Sequence, residues 1–95
     1  YPEADLEFWT DATKLHLEKS GYTHEATNCF TTKFGLEGCT LRFALPNGAE
    51  DWMFQETIFV VGKRIVLVEV AGEYNRFKAV EGDLDKALET FSPQS

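Results

Sequence analysis

Residues Trp52–Gly72, WMFQETIFVVGKRIVLVEVAG, constrain the fold of this chain more than any other stretch. They read as two strands rich in β-branched and aromatic residues, joined by a two-residue Gly62-Lys63 turn. A half-buried strand alternates apolar and polar residues. Here both faces carry Val, Ile and Phe, so neither is a water-facing side. Such strands are central ones, covered on both faces. The two-residue turn pairs Val61 with Arg64, Ile58 with Leu67, Glu56 with Glu69 and Phe54 with Ala71.

The rest of the chain supplies the covering layers. Pro2–Ser20 has a helical pattern: Pro2 suits a first turn, Glu3, Asp5 and Glu7 suit the positive end of the helix dipole, and Leu6, Trp9, Thr13, His16 and Leu17 form a stripe widened by Ala12. Lys19 closes the last turn, and Gly21 is placed as a left-handed cap. Tyr22–Phe34 is a polar, Thr-rich run that reads as a strand. Cys39, Leu41, Phe43 and Leu45 alternate with Thr40, Arg42 and Ala44 as the next strand. With Leu36-Glu37 as its turn, this hairpin pairs Cys39 with Phe34 and sets Cys29 opposite Ala44. Pro46-Asn47-Gly48 signals a turn. Phe77, Val80, Leu84, Ala87, Leu88 and Phe91 recur at helical steps, but Gly82 weakens the pattern by about 1 kcal/mol relative to Ala. That moves the expected start to Asp83, with Pro93 ending the helix.

The order is therefore α-β-β-β-β-α over a single 1–95 domain: an α+β fold, a four-stranded antiparallel meander with the N-terminal and C-terminal helices on opposite faces, similar to an α/β/α sandwich. Ninety-five residues suffice to bury roughly 60–70 % of the unfolded chain's surface. No apolar run approaches the ~20 residues of a membrane-spanning helix. The net charge of −7 opposes binding to nucleic acid, and the one adjacent basic pair, Lys63-Arg64, sits at a turn. The chain opens on Tyr1 rather than Met, which leaves three readings open: a removed leader, a lipoprotein tether, or an arbitrary boundary of the sequence.

Residues with potential chemistry are few. Glu56 and Glu69 face each other on a surface otherwise made of Trp52, Phe54, Ile58, Val60, Ile65 and Leu67. Like charges so placed destabilise a pair and push one carboxyl's pKa upward. Three readings stay open: a cation site or acid–base dyad, a register shifted by one, or a sheet edge where both groups reach water. No third metal ligand stands nearby in the pattern, so neither a metal nor a cofactor is expected. His16, on the apolar stripe, reads as a partly buried core histidine, and His24 as a surface residue. Trp9 and Trp52 read as core anchors, with a ligand cleft as the alternative for Trp52. The hairpin register separates Cys29 from Cys39, so both read as free thiols and Cys39 as a small core residue. A bulge that shifted the register would restore a disulfide.

Three segments together resemble the Mog1/PsbP-like superfamily and its small bacterial DcrB-like relatives. They are the helix ending at Gly21-Tyr22 followed by a polar strand and Gly35-Leu36-Glu37-Gly38-Cys39-Thr40-Leu41-Arg42-Phe43; the hairpin Gln55–Val68; and the closing Leu88-Glu89-Thr90-Phe91-Ser92-Pro93. The family usually places a further strand pair before its first helix, whereas this chain begins at the helix. The resemblance implies a non-enzymatic, adaptor-like protein that binds another protein, secreted or in the bacterial envelope, and it brings no catalytic residues. The expected contact surface is the Pro46–Trp52 loop with Asn47, Glu50, Asp51, Trp52 and neighbouring Glu56. Two alternatives are a small acidic chaperone or immunity-type protein, dimeric through its sheet, and a ligand or metal binder using Glu56, Glu69 and Trp52. The chain is accordingly a monomer or a homodimer.

Overall fold

The computed structural model of the chain describes residues 5–47, 50–62 and 64–91. The expectations for Pro2, Glu3, Gly48, Lys63 and Pro93, and for the side chains of Asn47 and Glu50, lie outside them.

Helix α1 runs Leu6–Lys19, opened by Asp5, whose carboxylate accepts the Phe8 N–H at 2.9 Å. Its C-terminus is a Schellman motif: Gly21 N–H donates to Glu18 O and Tyr22 N–H to Leu17 O, with Gly21 at φ +100°. Tyr22 and Leu17 then join the same core cluster. Strands β1 (Thr23–Thr31), β2 (Glu37–Asn47), β3 (Glu50–Val61) and β4 (Arg64–Glu73) follow, and α2 (Tyr74–Glu89) closes the chain. The strands form one antiparallel sheet in the order β1-β2-β3-β4. The β3–β4 register is the expected one, Glu56 opposite Glu69 included, and Gly62 supplies the left-handed residue of the turn at φ +62°.

Period-two alternation divides the sheet between the helices. Leu41, Phe43 and Ile58 are fully buried on one face, beneath Leu6, Trp9 and Leu17 of α1, with Tyr22 and Phe54 beside them. Their sequence neighbours Thr57, Phe59, Gln55 and Met53 are buried on the other face, against which α2 packs on β3 and β4. The sheet is therefore covered on both sides, but unevenly. Helix α1 lies over β1, β2 and β3 and leaves Ile65 and Leu67 of β4 38 % and 51 % exposed.

The β1–β2 hairpin departs from the sequence reading. Its closing pair is Thr31–Glu37, and Cys29 stands opposite Cys39 rather than Ala44. The loop is the five residues 32–36, not Leu36-Glu37. Buried Thr32 organises it: its N–H donates to Leu36 O, and its hydroxyl accepts the N–H groups of Phe34 and Leu36. Gly35, at φ +81°, makes the turn, and Phe34 is left exposed instead of pairing with Cys39. Farther along β1, an irregularity between His24 and Ala26 shifts the pairing by one more residue. The two cysteines are consequently joined, Cys29–Cys39, with Cα atoms 4.0 Å apart, and neither is a free thiol.

The same shift turns Phe30 to the α2 face, where Gly38 leaves room for it. Phe30 meets Phe59 edge-on at 5.8 Å, and Phe59 stacks on Phe91 at 4.2 Å. A Cβ added at Gly38 would sit 2.6 Å from the Phe59 ring and 3.1 Å from Phe30. Gly38→Ala is therefore expected to destabilise by about 1–3 kcal/mol through overpacking, read as a lower urea midpoint at unchanged m-value. A midpoint equal to that of the wild type would show that the aromatic trio can shift freely.

Helix α2 begins nine residues before Asp83. Strand β4 passes into it without a loop, and Glu73 is the cap, its carboxylate accepting the Asn75 and Arg76 N–H groups. Arg42 of β2 spans the weak point at Gly82, reaching Glu81 at 3.7 Å on one side and Asp85 at 2.6 Å on the other. Its Nε donates to buried Gln55 Oε1. This tertiary clamp holds the helix through a glycine that local propensity disfavours.

Candidate functional site

The expected contact surface separates into two places. Asn47 and Glu50 form the last rung of the β2–β3 hairpin, with exposed Asp51 and Trp52 next along β3. Trp52 is 37 % exposed and is not a core anchor. It borders two shallow clefts at this end of the sheet. One, of about 340 Å³, runs toward α2 past Val70, Arg76, Phe77 and Val80. The other, of about 260 Å³, runs past Tyr22, Leu45 and Phe54. An indole between two apolar-walled clefts has the partly wet, partly dry surroundings that suit aromatic contact residues.

Glu56 lies elsewhere. Four residues along β3, roughly 13 Å at strand rise, it is 6 % exposed beneath α1. Directly opposite, Glu69 is exposed. The register is unshifted and the two carboxyls are unequal in environment, so neither bland reading of the pair holds. Burial, and then the charge of Glu69, push the Glu56 carboxyl above its ordinary pKa of 4.5, while His16 pulls it partly back.

His16 is the residue that sequence spacing could not attach to this pair. It is exposed rather than a core histidine. With Trp9, Thr13, Glu56 and Glu69 it lines a cavity of about 390 Å³ between α1 and the sheet. Trp9 forms part of that wall while also packing on the core cluster. Trp52 does not line this cavity, so the trio of Glu56, Glu69 and Trp52 is not brought together. Among the described residues no group of three or more His, Cys, Asp or Glu is arranged to hold a metal ion. His24, expected at the surface, is half-buried: its ring meets Phe43 at 5.5 Å and Nε2 is hydrogen-bonded to Thr27 Oγ1 at 2.7 Å.

No helix among the described residues is long and apolar enough to cross a membrane. Comparison with protein-family models, with curated proteins and with solved structures yields no match for this chain. The class that the geometry defines is an α+β domain with a four-stranded antiparallel sheet between two terminal helices.

Proposed function

We propose that this chain is a non-enzymatic protein-interaction domain of Mog1/PsbP-like type, engaging its partner at the sheet end around Trp52. The observation that carries this reading is the half-exposed indole set between two apolar clefts. Large aromatic residues at such positions supply much of the binding energy of protein interfaces. Asp51 beside it and the overall acidity favour a partner with a basic rim. Both cysteines are committed to a disulfide and supply no thiolate nucleophile. The disulfide also supports a secreted or envelope location, where such bonds persist.

The test is a photo-crosslinker placed at position 51, followed by affinity measurement with the partner it captures. Trp52→Ala is expected to weaken that complex tenfold or more, by ≥ ~1.4 kcal/mol, with far-UV circular dichroism unchanged. Equal affinity for the wild type, Trp52→Ala and Asp51→Lys would remove this surface from the reading.

One observation favours the alternative of an acidic chaperone or immunity-type homodimer. Strand β4 is an edge of the sheet and exposes Leu67 and Ile65 on the face that α1 leaves open. Open edges with apolar side chains invite pairing with a second chain. A sedimentation coefficient independent of concentration, at the monomer value, would dispose of the dimer.

A further inference from the structure

We propose that the cavity between α1 and the β3–β4 hairpin is a binding site for a primary alkylammonium group, such as a free diamine or the lysine side chain of another protein. This goes beyond the Trp52 surface and does not depend on it.

Three observations converge. First, Glu56 is more than nine-tenths buried, lines the cavity, and its carboxylate makes no hydrogen bond or ion pair among the described residues. Buried carboxylates are ordinarily paired, because an isolated charge is costly to remove from water. Second, Glu69 stands directly across the ladder and adds a like charge where an opposite one would stabilise. A cation seated between the two relieves the repulsion and offsets the burial of Glu56. Third, the other walls suit an organic cation better than a metal. Trp9 brings an aromatic ring to the lining, Thr13 a hydroxyl-bearing side chain, and Ala12 and Leu17 apolar surface for a methylene chain. Two carboxylates fall short of the six to eight oxygen ligands that calcium takes.

The site has a built-in pH dependence. The titratable groups facing Glu56 are Glu69 from β4 and His16 from α1. As pH falls, protonation of Glu56 removes one of the cavity's two carboxylate charges and so weakens cation binding. Stability moves the opposite way. The folded chain holds the Glu56 proton to higher pH than the unfolded chain does. The penalty is therefore absent below the ordinary carboxyl value, grows as pH rises through the folded value, and is complete above it. Glu56→Gln should melt higher than the wild type at neutral pH, by a few degrees, with the gap closing toward acid pH.

The experiment is a ¹⁵N-NMR titration at neutral pH and near-physiological salt with three probes: 1,5-diaminopentane, N-acetyl-lysine-methylamide and the uncharged 1,5-pentanediol. The amines are expected to give saturable shifts confined to Trp9, Thr13, His16 and the strands around Glu56 and Glu69, and the diol none. Glu69→Gln, at an exposed position, should weaken amine binding at least fivefold, and Glu56→Gln should abolish it while raising the melting temperature. Tighter binding of the diamine assigns the site to free polyamines, and tighter binding of the lysine derivative to a partner's side chain. Shifts spread evenly over the acidic surface and unaltered by Glu69→Gln would overturn the proposal. So would equal binding of the diol, which would mark a merely apolar cavity.

Discussion

Phe59→Ala is expected to destabilise this protein by about 3–5 kcal/mol, the largest loss from any single truncation considered. Phe59 is fully buried, stacked on Phe91, met edge-on by Phe30 and set against the bare backbone of Gly38. Truncation removes the transfer energy of the ring and leaves a cavity that the sheet backbone cannot close. At about 4–8 °C per kcal/mol, the melting temperature should fall by more than about 12 °C. The loss has a local signature as well. Lys33 N–H donates to Glu89 O at 2.9 Å, tying the β1–β2 loop to the end of α2 beside this ring stack. Hydrogen exchange at Lys33 should therefore accelerate more than at Tyr22, whose N–H belongs to the α1 cap on the opposite face. Phe59→Leu keeps most of the apolar volume and should cost less, about 1–2 kcal/mol. A Phe59→Ala melting point within a few degrees of the wild type would mean that α2 contributes little to the fold.

Removal of the disulfide should have the second largest effect. Cys29 and Cys39 close a loop of ten residues in sequence, which the chain-entropy model values at about 2–3 kcal/mol. Strand β1 has little else to hold it: most of its residues are exposed and it pairs on one side only. The Cys29→Ser/Cys39→Ser protein is expected to melt about 10–20 °C lower. Reductant should lower the wild type by a similar amount and leave the double variant unchanged. Early loss of protection at Asn28 and Phe30, ahead of β3, would locate the effect in the edge strand. Identical melting with and without reductant would show the bridge to be absent in solution.

The two hairpins show where the sequence was legible. In the second, a single glycine sits between two unbroken apolar runs, so Gly62 fixes the register and with it the opposition of Glu56 and Glu69. In the first, Gly35 and Gly38 are three residues apart and look alike on paper. Gly35 is there for its positive φ, and Gly38, inside a strand, for the space that Phe59 and Phe30 occupy. Placing the turn at Leu36-Glu37, between the two glycines, shifts the loop and separates the cysteines. The start of α2 was hidden for a related reason. Tyr74 and Val80 are largely exposed and the cap is a glutamate at the end of a strand, so the first turns carry little of the periodic signal that marks a helix.

The site was half legible. Strand pairing brought the two glutamates together, because a ladder of known register is nearly a list of contacts. It could not say that α1 would lie across Glu56, bring His16 and Trp9 to the same cavity and leave Trp52 at the sheet end.

The sequence by itself determined the order of elements, the antiparallel meander and the helix on each face, since hydrophobic periodicity and turn residues act over a few neighbours along the chain. Tertiary structure alone decided the cysteine bridge, the clamp of Arg42 across Gly82, and which carboxylate is buried. Those depend on how distant surfaces share space and on how water is excluded between them, and neither is written in any local run of residues.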